Sequence, residues 1–217
     1  RKCRNPDIFR VPTFTDLYYL RMGNTNLKPE ETSQYNVGVT WSSSCGDWLR
    51  HFSISADGYY NTVKDKIVAL PTMYVWKMMN MGEVDIKGVD VNLSTQFRLP
   101  LRMSLLLAST YSFQYAVDVT DPEAKNYKDQ IPYTPRHSGT VSVTLENPWV
   151  NVSYILTAVG DRYALPQNID RNRIDSYIEQ SISINRDFRF RYFGLRLQGE
   201  LLNLANVNYD VIQYYPM

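Results

Sequence analysis

Cysteine and histidine are almost missing from this chain of 217 residues, and so is any long apolar run. Two cysteines, Cys3 and Cys45, build no disulfide framework, and neither stands in a spacing that would hold zinc. A single bridge between them is left open, and with it the redox compartment. The two histidines, His51 and His137, stand apart, without the clustered Ser or Asp partners that hydrolysis would need. This disfavours catalysis, and no metal site, haem site or cofactor is expected. The densest apolar stretch, 103–108, falls far short of the ~20 residues of a membrane-spanning helix. A helical membrane protein is excluded. Charge of one sign is missing too: Lys+Arg 23 against Asp+Glu 22 leaves +1, so nothing argues for nucleic acid. The chain opens at Arg1 with neither Met nor a charged-then-apolar leader, as a processed or partial sequence would.

Aromatics, by contrast, are plentiful. Tyr 17, Phe 8 and Trp 4 make up 13% of the chain, while mean hydropathy is only -0.36. A transmembrane β-barrel produces this combination, because outward apolar and inward polar residues alternate and cancel in the average. The alternation is visible. Val89, Val91, Leu93, Thr95, Phe97 and Leu99 share one face, opposite Asp90, Asn92, Ser94, Gln96 and Arg98. Similar runs occur at 35–41, 52–56, 101–115, 140–145, 150–157, 178–184 and 193–201. They predict about eight strands, close to the ~9–11 residues that cross a bilayer at a tilt, and no competing helical period.

Four connections read as tight turns, at 43–47, Pro100, 147–148 and 186–189; three read as long loops, 62–83, 117–136 and 160–173, with a tail from about 205. Short turns on one side and long loops on the other are the habit of outer-membrane barrels. Trp41, Trp48, Phe97, Trp149, Phe188, Phe190 and Tyr192 fall near the short turns, and Tyr59, Tyr60, Tyr111, Tyr115 and Tyr163 near the long loops, as interface girdles would. A soluble antiparallel sandwich shares the alternation and stands as the alternative. The polar positions, however, are mostly Ser, Thr, Asn and Gln rather than Lys and Glu. They suit the lumen of a wide barrel of ~22 strands better than bulk water.

The segment 8–39 resembles a signature of TonB-dependent outer-membrane receptors. It reads Phe9-Arg10-Val11-Pro12, then Leu17-Tyr18, then Gly23-Asn24 with Leu27-Lys28-Pro29-Glu30. The stretches 61–68, 80–90, 131–136, 202–209 and 215–217 are similar to other parts of the same family. The flavour is that of Bacteroides-like receptors for cobalamin and ferric siderophores. The resemblance implies an all-β fold, about eight strands of a 22-stranded antiparallel barrel in the cell outer membrane. Residues 1–217 would be its C-terminal part, lacking plug, earlier strands and final strand.

The implied function is active import, without chemistry, of an extracellular nutrient such as cobalamin, siderophore-iron or a similar chelate. Implied partners are outer-membrane lipid, the receptor's own plug and remaining strands, the TonB complex through an N-terminal region, and a surface lipoprotein. An outer-membrane barrel enzyme is a further, weaker alternative. Ligand contact is assigned to the long loops, through Tyr74, Trp76, Met78, Tyr133, Arg136 and Tyr163. The competing reading packs Trp76 and the methionines into a hairpin tip, and pairs Arg136 with a carboxylate. Phe9, Arg10, Pro12, Leu17, Tyr18, Gly23, Asn24, Leu27, Lys28, Pro29 and Glu30 are expected to be structural.

Overall fold

Alternation of this length has one stable outcome, an extended antiparallel sheet. The computed structural model describes residues 8–71, 75–212 and 215–216. In chain order it holds β1 (Ile8–Arg10), the short helix α1 (Phe14–Tyr18), β2 (Glu30–Cys45), β3 (Leu49–Pro71), β4 (Trp76–Leu99), β5 (Met103–Asp118), β6 (His137–Glu146) and β7 (Asn151–Val159). The small strands β8 (Arg162–Tyr163) and β9 (Arg173–Ile174) follow, then β10 (Tyr177–Arg189), β11 (Gly194–Leu201), β12 (Asp210–Ile212) and β13 (Tyr215–Pro216). One nine-stranded antiparallel sheet runs β1-β2-β3-β4-β5-β6-β7-β10-β11; β8-β9 and β12-β13 form separate two-stranded ribbons. Eight of the nine strands are the expected long ones.

The two faces of this sheet differ chemically. Directly paired residues share a face, so Val39, Ala56, Val91, Tyr111, Gly139, Ala158 and Ile178 form one transverse row. Its outward side chains include Val37 (75% exposed), Val39, Trp41, Val89 and Leu197. No second sheet covers them among the described residues. The opposite face pairs Ser53 with Ser94, Ser55 with Asn92, Thr110 with Thr140, and Ser153 with Ser183. At ~3.3 Å per residue the outward apolar run from Val89 to Leu99 is about 33 Å long, and a tilt of roughly 40° leaves about 25 Å of height. That matches the apolar band of a membrane barrel.

Several expectations are corrected. Residues 62–83 are not a loop: β3 and β4, of 23 and 24 residues, stay paired out to Pro71↔Trp76. The reason is an inversion of polarity. Beyond Tyr60 and Lys87 the outward face turns polar, with Thr62 donating to Asp85 at 3.0 Å. The inward face turns apolar there, and Val63, Val84, Ile86, Ala116 and Ile131 form the buried core with Met81. The periodicity continues but its phase reverses, which reads as a loop when one apolar stripe is followed. Residues 186–189 are also not a turn. They lie in β10, where Asp187 pairs with Arg196 at 2.6 Å, and the chain reverses where the Phe190 N–H donates to the Phe193 carbonyl at 2.9 Å. The one α-helix among the described residues, α1, has only five residues, too few to show a period. Its start is fixed by a capping box between Thr13 and Asp16.

The connections 117–136 and 160–173 are long, as expected, and the turns at 46–48, 100–102 and 147–150 are short. Near the first of those turns Trp41 packs edge-on to Phe52 at 5.3 Å and Trp48 stacks on Phe97 at 5.9 Å, and at the reversal between β10 and β11 Phe190 stacks on Phe193 at 4.6 Å. Cys45, near the first short turn, is a free, exposed thiol; Cys3, Tyr74 and Met217 lie outside the described residues.

Candidate functional site

The signature segment folds into a clasp against the long hairpin. Arg10 reaches Glu30 at 3.0 Å and Asp16 at 3.5 Å, and both carboxylates are buried. The backbone N–H of Thr13 donates to Asp16 and holds its carboxyl below the ordinary value. Glu30 also accepts the Ile67 N–H from β3 at 2.7 Å. From the same segment Asn24 donates to the Met78 carbonyl at 3.0 Å, and the Met78 N–H donates to the Met22 carbonyl at 2.9 Å. The Lys28 N–H donates to Asn80 at 2.9 Å, which returns a bond to the Lys28 carbonyl at 3.1 Å. A Cβ on Gly23 would stand 2.6 Å from the Leu17 carbonyl oxygen, so only glycine fits behind the helix. Leu27 is buried, Pro12 and Leu17 are half-buried, and Phe9, Tyr18, Lys28 and Pro29 are exposed.

Above the clasp, the long connections enclose an open cavity of about 520 Å³. Trp76 from the hairpin, Tyr133 and Pro135 from the loop 119–136, Val159 from β7, and Arg162 and Tyr177 line it. Trp76 and Tyr133 meet at 5.9 Å between ring centroids, tilted by 43°. Tyr133 is itself fixed by its N–H, which donates to the Tyr163 carbonyl at 2.7 Å. Arg162 is only 4% exposed. Its guanidinium lies over the Tyr177 ring at 5.4 Å and its Nη2 donates to the Asp210 carbonyl, while Nη1 finds no hydrogen-bond partner among the described residues. A buried cationic donor without a partner is costly to leave unmatched, and an acceptor entering the cavity would relieve it.

A second aromatic layer backs Arg162. Tyr177 stacks on Tyr209 at 3.9 Å and 5°, and the Tyr209 hydroxyl donates to Glu179 at 2.7 Å. That bond, with some burial and the Glu179 charge, pushes the Tyr209 phenol up to about 12.

Of the residues assigned to ligand contact, the fold brings Trp76 and Tyr133 together in the cavity, with Tyr163 behind them. Met78 lies on the clasp instead, and Arg136 stands over the Tyr115 ring at 5.1 Å rather than at a carboxylate. Arg162 and Tyr177 were not legible from sequence, since a buried arginine carries no local motif. His137 is not isolated: its Nδ1 is 2.8 Å from the Tyr111 hydroxyl. Among the described residues no group of three His, Cys, Asp or Glu side chains could hold a metal ion.

Comparison with known proteins agrees with this architecture. The family model described as "TonB dependent receptor-like, beta-barrel" matches residues 7–204. A vitamin B12 transporter BtuB of Photobacterium profundum is 33% identical over 88 residues, 38% of this chain. The BtuB of Vibrio vulnificus is 33% identical over 85 residues, also 38% of the chain. These matches span 14% and 13% of the two relatives' lengths. Among solved structures, the copper transporter OprC superposes with a TM-score of 0.65 over 93% of this chain and 30% of its own, at 16% identity. The FrpB iron transporter of Neisseria meningitidis gives 0.52 over 85% and 28%, at 13% identity; both likenesses bear on the fold alone.

Proposed function

This chain belongs to the TonB-dependent receptor-like β-barrel family, and from that premise we propose that it forms part of an outer-membrane receptor importing a scarce nutrient. Homologous barrels of this family lie in the outer membrane of Gram-negative bacteria. The observation that carries the reading is the placement of the aromatic cavity. It sits at the long-loop end of a sheet whose outward face suits lipid and whose inward face is lined by small polar residues. In this reading β1 and β11 are joined by further strands that close the barrel, and a plug fills the lumen. The TonB complex supplies the energy and a surface lipoprotein assists at the loops. The residues perform no bond chemistry; they bind and release.

The cavity supports a bulky ligand with an apolar face and an anionic edge. Trp76, Tyr133 and Val159 supply contact area, and Arg162 supplies a buried cation. An open cavity of about 520 Å³ takes one face of a larger ligand such as cobalamin, siderophore-bound iron or a similar chelate, and the BtuB relatives favour the first. The test is a binding and energised-uptake screen of the natural full-length protein against cobalamin, haem and ferric siderophores. Binding of one of these, weakened by Trp76→Ala, is expected. Binding of an oligosaccharide or peptide alone would overturn the substrate class.

A further inference from the structure

The outward face carries a second feature, away from the cavity. Tyr35, Tyr60, Lys87 and Tyr115 are direct cross-strand partners and form one row on β2, β3, β4 and β5. Immediately below it on β4 and β5 the face is apolar, with Val89 opposite Phe113 and Val91 opposite Tyr111. Immediately above it stand Thr62 and Asp85. The row therefore marks the rim at which the apolar band ends.

Two cations converge on that rim. The Lys87 ammonium lies 5.2 Å from the Tyr115 ring centroid, and the Arg136 guanidinium lies 5.1 Å from the same centroid. Both side chains are exposed, and neither makes an ion pair among the described residues. Asp85, the acidic group on this face next to Lys87 along β4, is engaged by the Thr62 hydroxyl. A cation–π contact positions a charged head without consuming its N–H donors, so three donors on Lys87 and the guanidinium fork of Arg136 stay available.

We propose that Lys87 and Arg136, aligned by Tyr115, bind the phosphate headgroup of an anionic lipid in the leaflet at the long-loop end. The occupant is a lipid rather than a soluble phosphate because the face directly below Lys87 and Tyr115, on β4 and β5, is the apolar band, with His137 beside Phe113 on β6. A molecule held there has its phosphate at the rim and its acyl chains along Val89, Val91 and Phe113. Lys/Arg near a membrane surface contribute about 1 kcal/mol each toward anionic lipid, and two pre-positioned cations around one ring make a site of that general attraction.

The experiment is native mass spectrometry of the natural full-length protein after exchange into detergent with phosphatidic acid or phosphatidylcholine. Wild type should retain phosphatidic acid and not phosphatidylcholine, and the double variant Lys87→Gln/Arg136→Gln should retain at least tenfold less. Tyr115→Phe, which keeps the ring, should behave as wild type, whereas Tyr115→Ala should lose retention. Inorganic phosphate at equal concentration should fail to displace the lipid. Equal retention of both lipids, unchanged retention in the double variant, or displacement by inorganic phosphate overturns the proposal. If the double variant does not fold, as judged by heat-modifiable gel mobility, the two single glutamine variants decide in the same way.

Discussion

The Glu30 carboxylate accepts the backbone N–H of Ile67 at 2.7 Å, so a residue of the signature segment holds a strand 37 residues further along the chain. The same carboxylate neutralises Arg10. One buried side chain thus ties the clasp to the hairpin that delivers Trp76 to the cavity.

Glu30→Ala should cost about 1–3 kcal/mol, because it strands a buried N–H and leaves Arg10 paired only with Asp16. Glu30→Gln keeps an acceptor and should cost less. Thermal unfolding in detergent reads the stability, and limited proteolysis of residues 62–83 reads the hairpin. Resistance equal to wild type in both variants would show that the clasp is incidental.

Glycine substitutions should separate by location. A Cβ on Gly88 would meet the Phe113 carbonyl oxygen at 2.4 Å and the Tyr59 hydroxyl at 2.5 Å, whereas nothing lies within 4 Å of one on Gly199. Gly88→Ala should therefore lower the melting temperature sharply, because backbone cannot yield as a side-chain tip does. Gly199→Ala should be neutral, or raise stability by about 0.4–1 kcal/mol through the unfolded chain. Differential scanning calorimetry of the two variants distinguishes them.

Trp76→Ala should weaken ligand binding by about tenfold or more while leaving the melting temperature close to wild type. Trp76 gives a large apolar surface and a ring contact worth ~0.5–1.5 kcal/mol to the cavity wall, not to the buried core. Arg162→Gln should weaken binding of an anionic ligand and leave a neutral analogue unaffected. Titration calorimetry with both forms measures the split.

Tyr209 predicts a change at alkaline pH. Its phenol is raised from 10.0 to about 12 by donating to Glu179, so the folded protein keeps the proton that the unfolded chain releases. The stabilising contribution is present below pH ~10 and is lost as pH climbs through about 12. Tyr209→Phe should abolish that component. Tyrosinate absorbance, followed with protection of residues 202–212, checks it, and a phenol that titrates near 10 would contradict it.

Cys45 offers a test of orientation. Its thiol is free and exposed at the short-turn end. In a Cys3→Ser background, a membrane-impermeant maleimide should leave Cys45 unlabelled on intact cells and label it once the outer membrane is permeabilised. Labelling on intact cells would reverse the assignment of long loops to the outside.

The strands were legible because a period of two survives in sequence wherever one face is apolar and the other small and polar. The runs at 89–99 and 140–145 needed nothing more. The hairpin 62–83 escaped because its polarity phase inverts after Tyr60, where a stripe-following reading expects the strand to end, and because Asp65 interrupts the ladder with φ 52. Arg10 and Glu30 of the signature segment meet Ile67 only in the folded chain, where Glu30 bridges the two. Trp76 and Tyr133 stood out by residue type alone. Arg162 did not, since its role comes from Tyr177, fifteen positions away, and from Asp210 in the tail, which only the folded loops bring together.

The inversion at Tyr60 and Lys87 also fixes vertical position. Shifting the protein inward by one pleat, two residues or about 7 Å along a strand, would draw Lys87 and then Asp85 toward hydrocarbon. A lysine there costs from ~0–1 kcal/mol near the surface to ~2–4 kcal/mol at the midplane. Shifting it outward would strand Val89 and Phe113 in water. Immersion therefore sits in a free-energy well with a wall on each side, and the hairpin above the rim is carried at a constant height above the membrane surface.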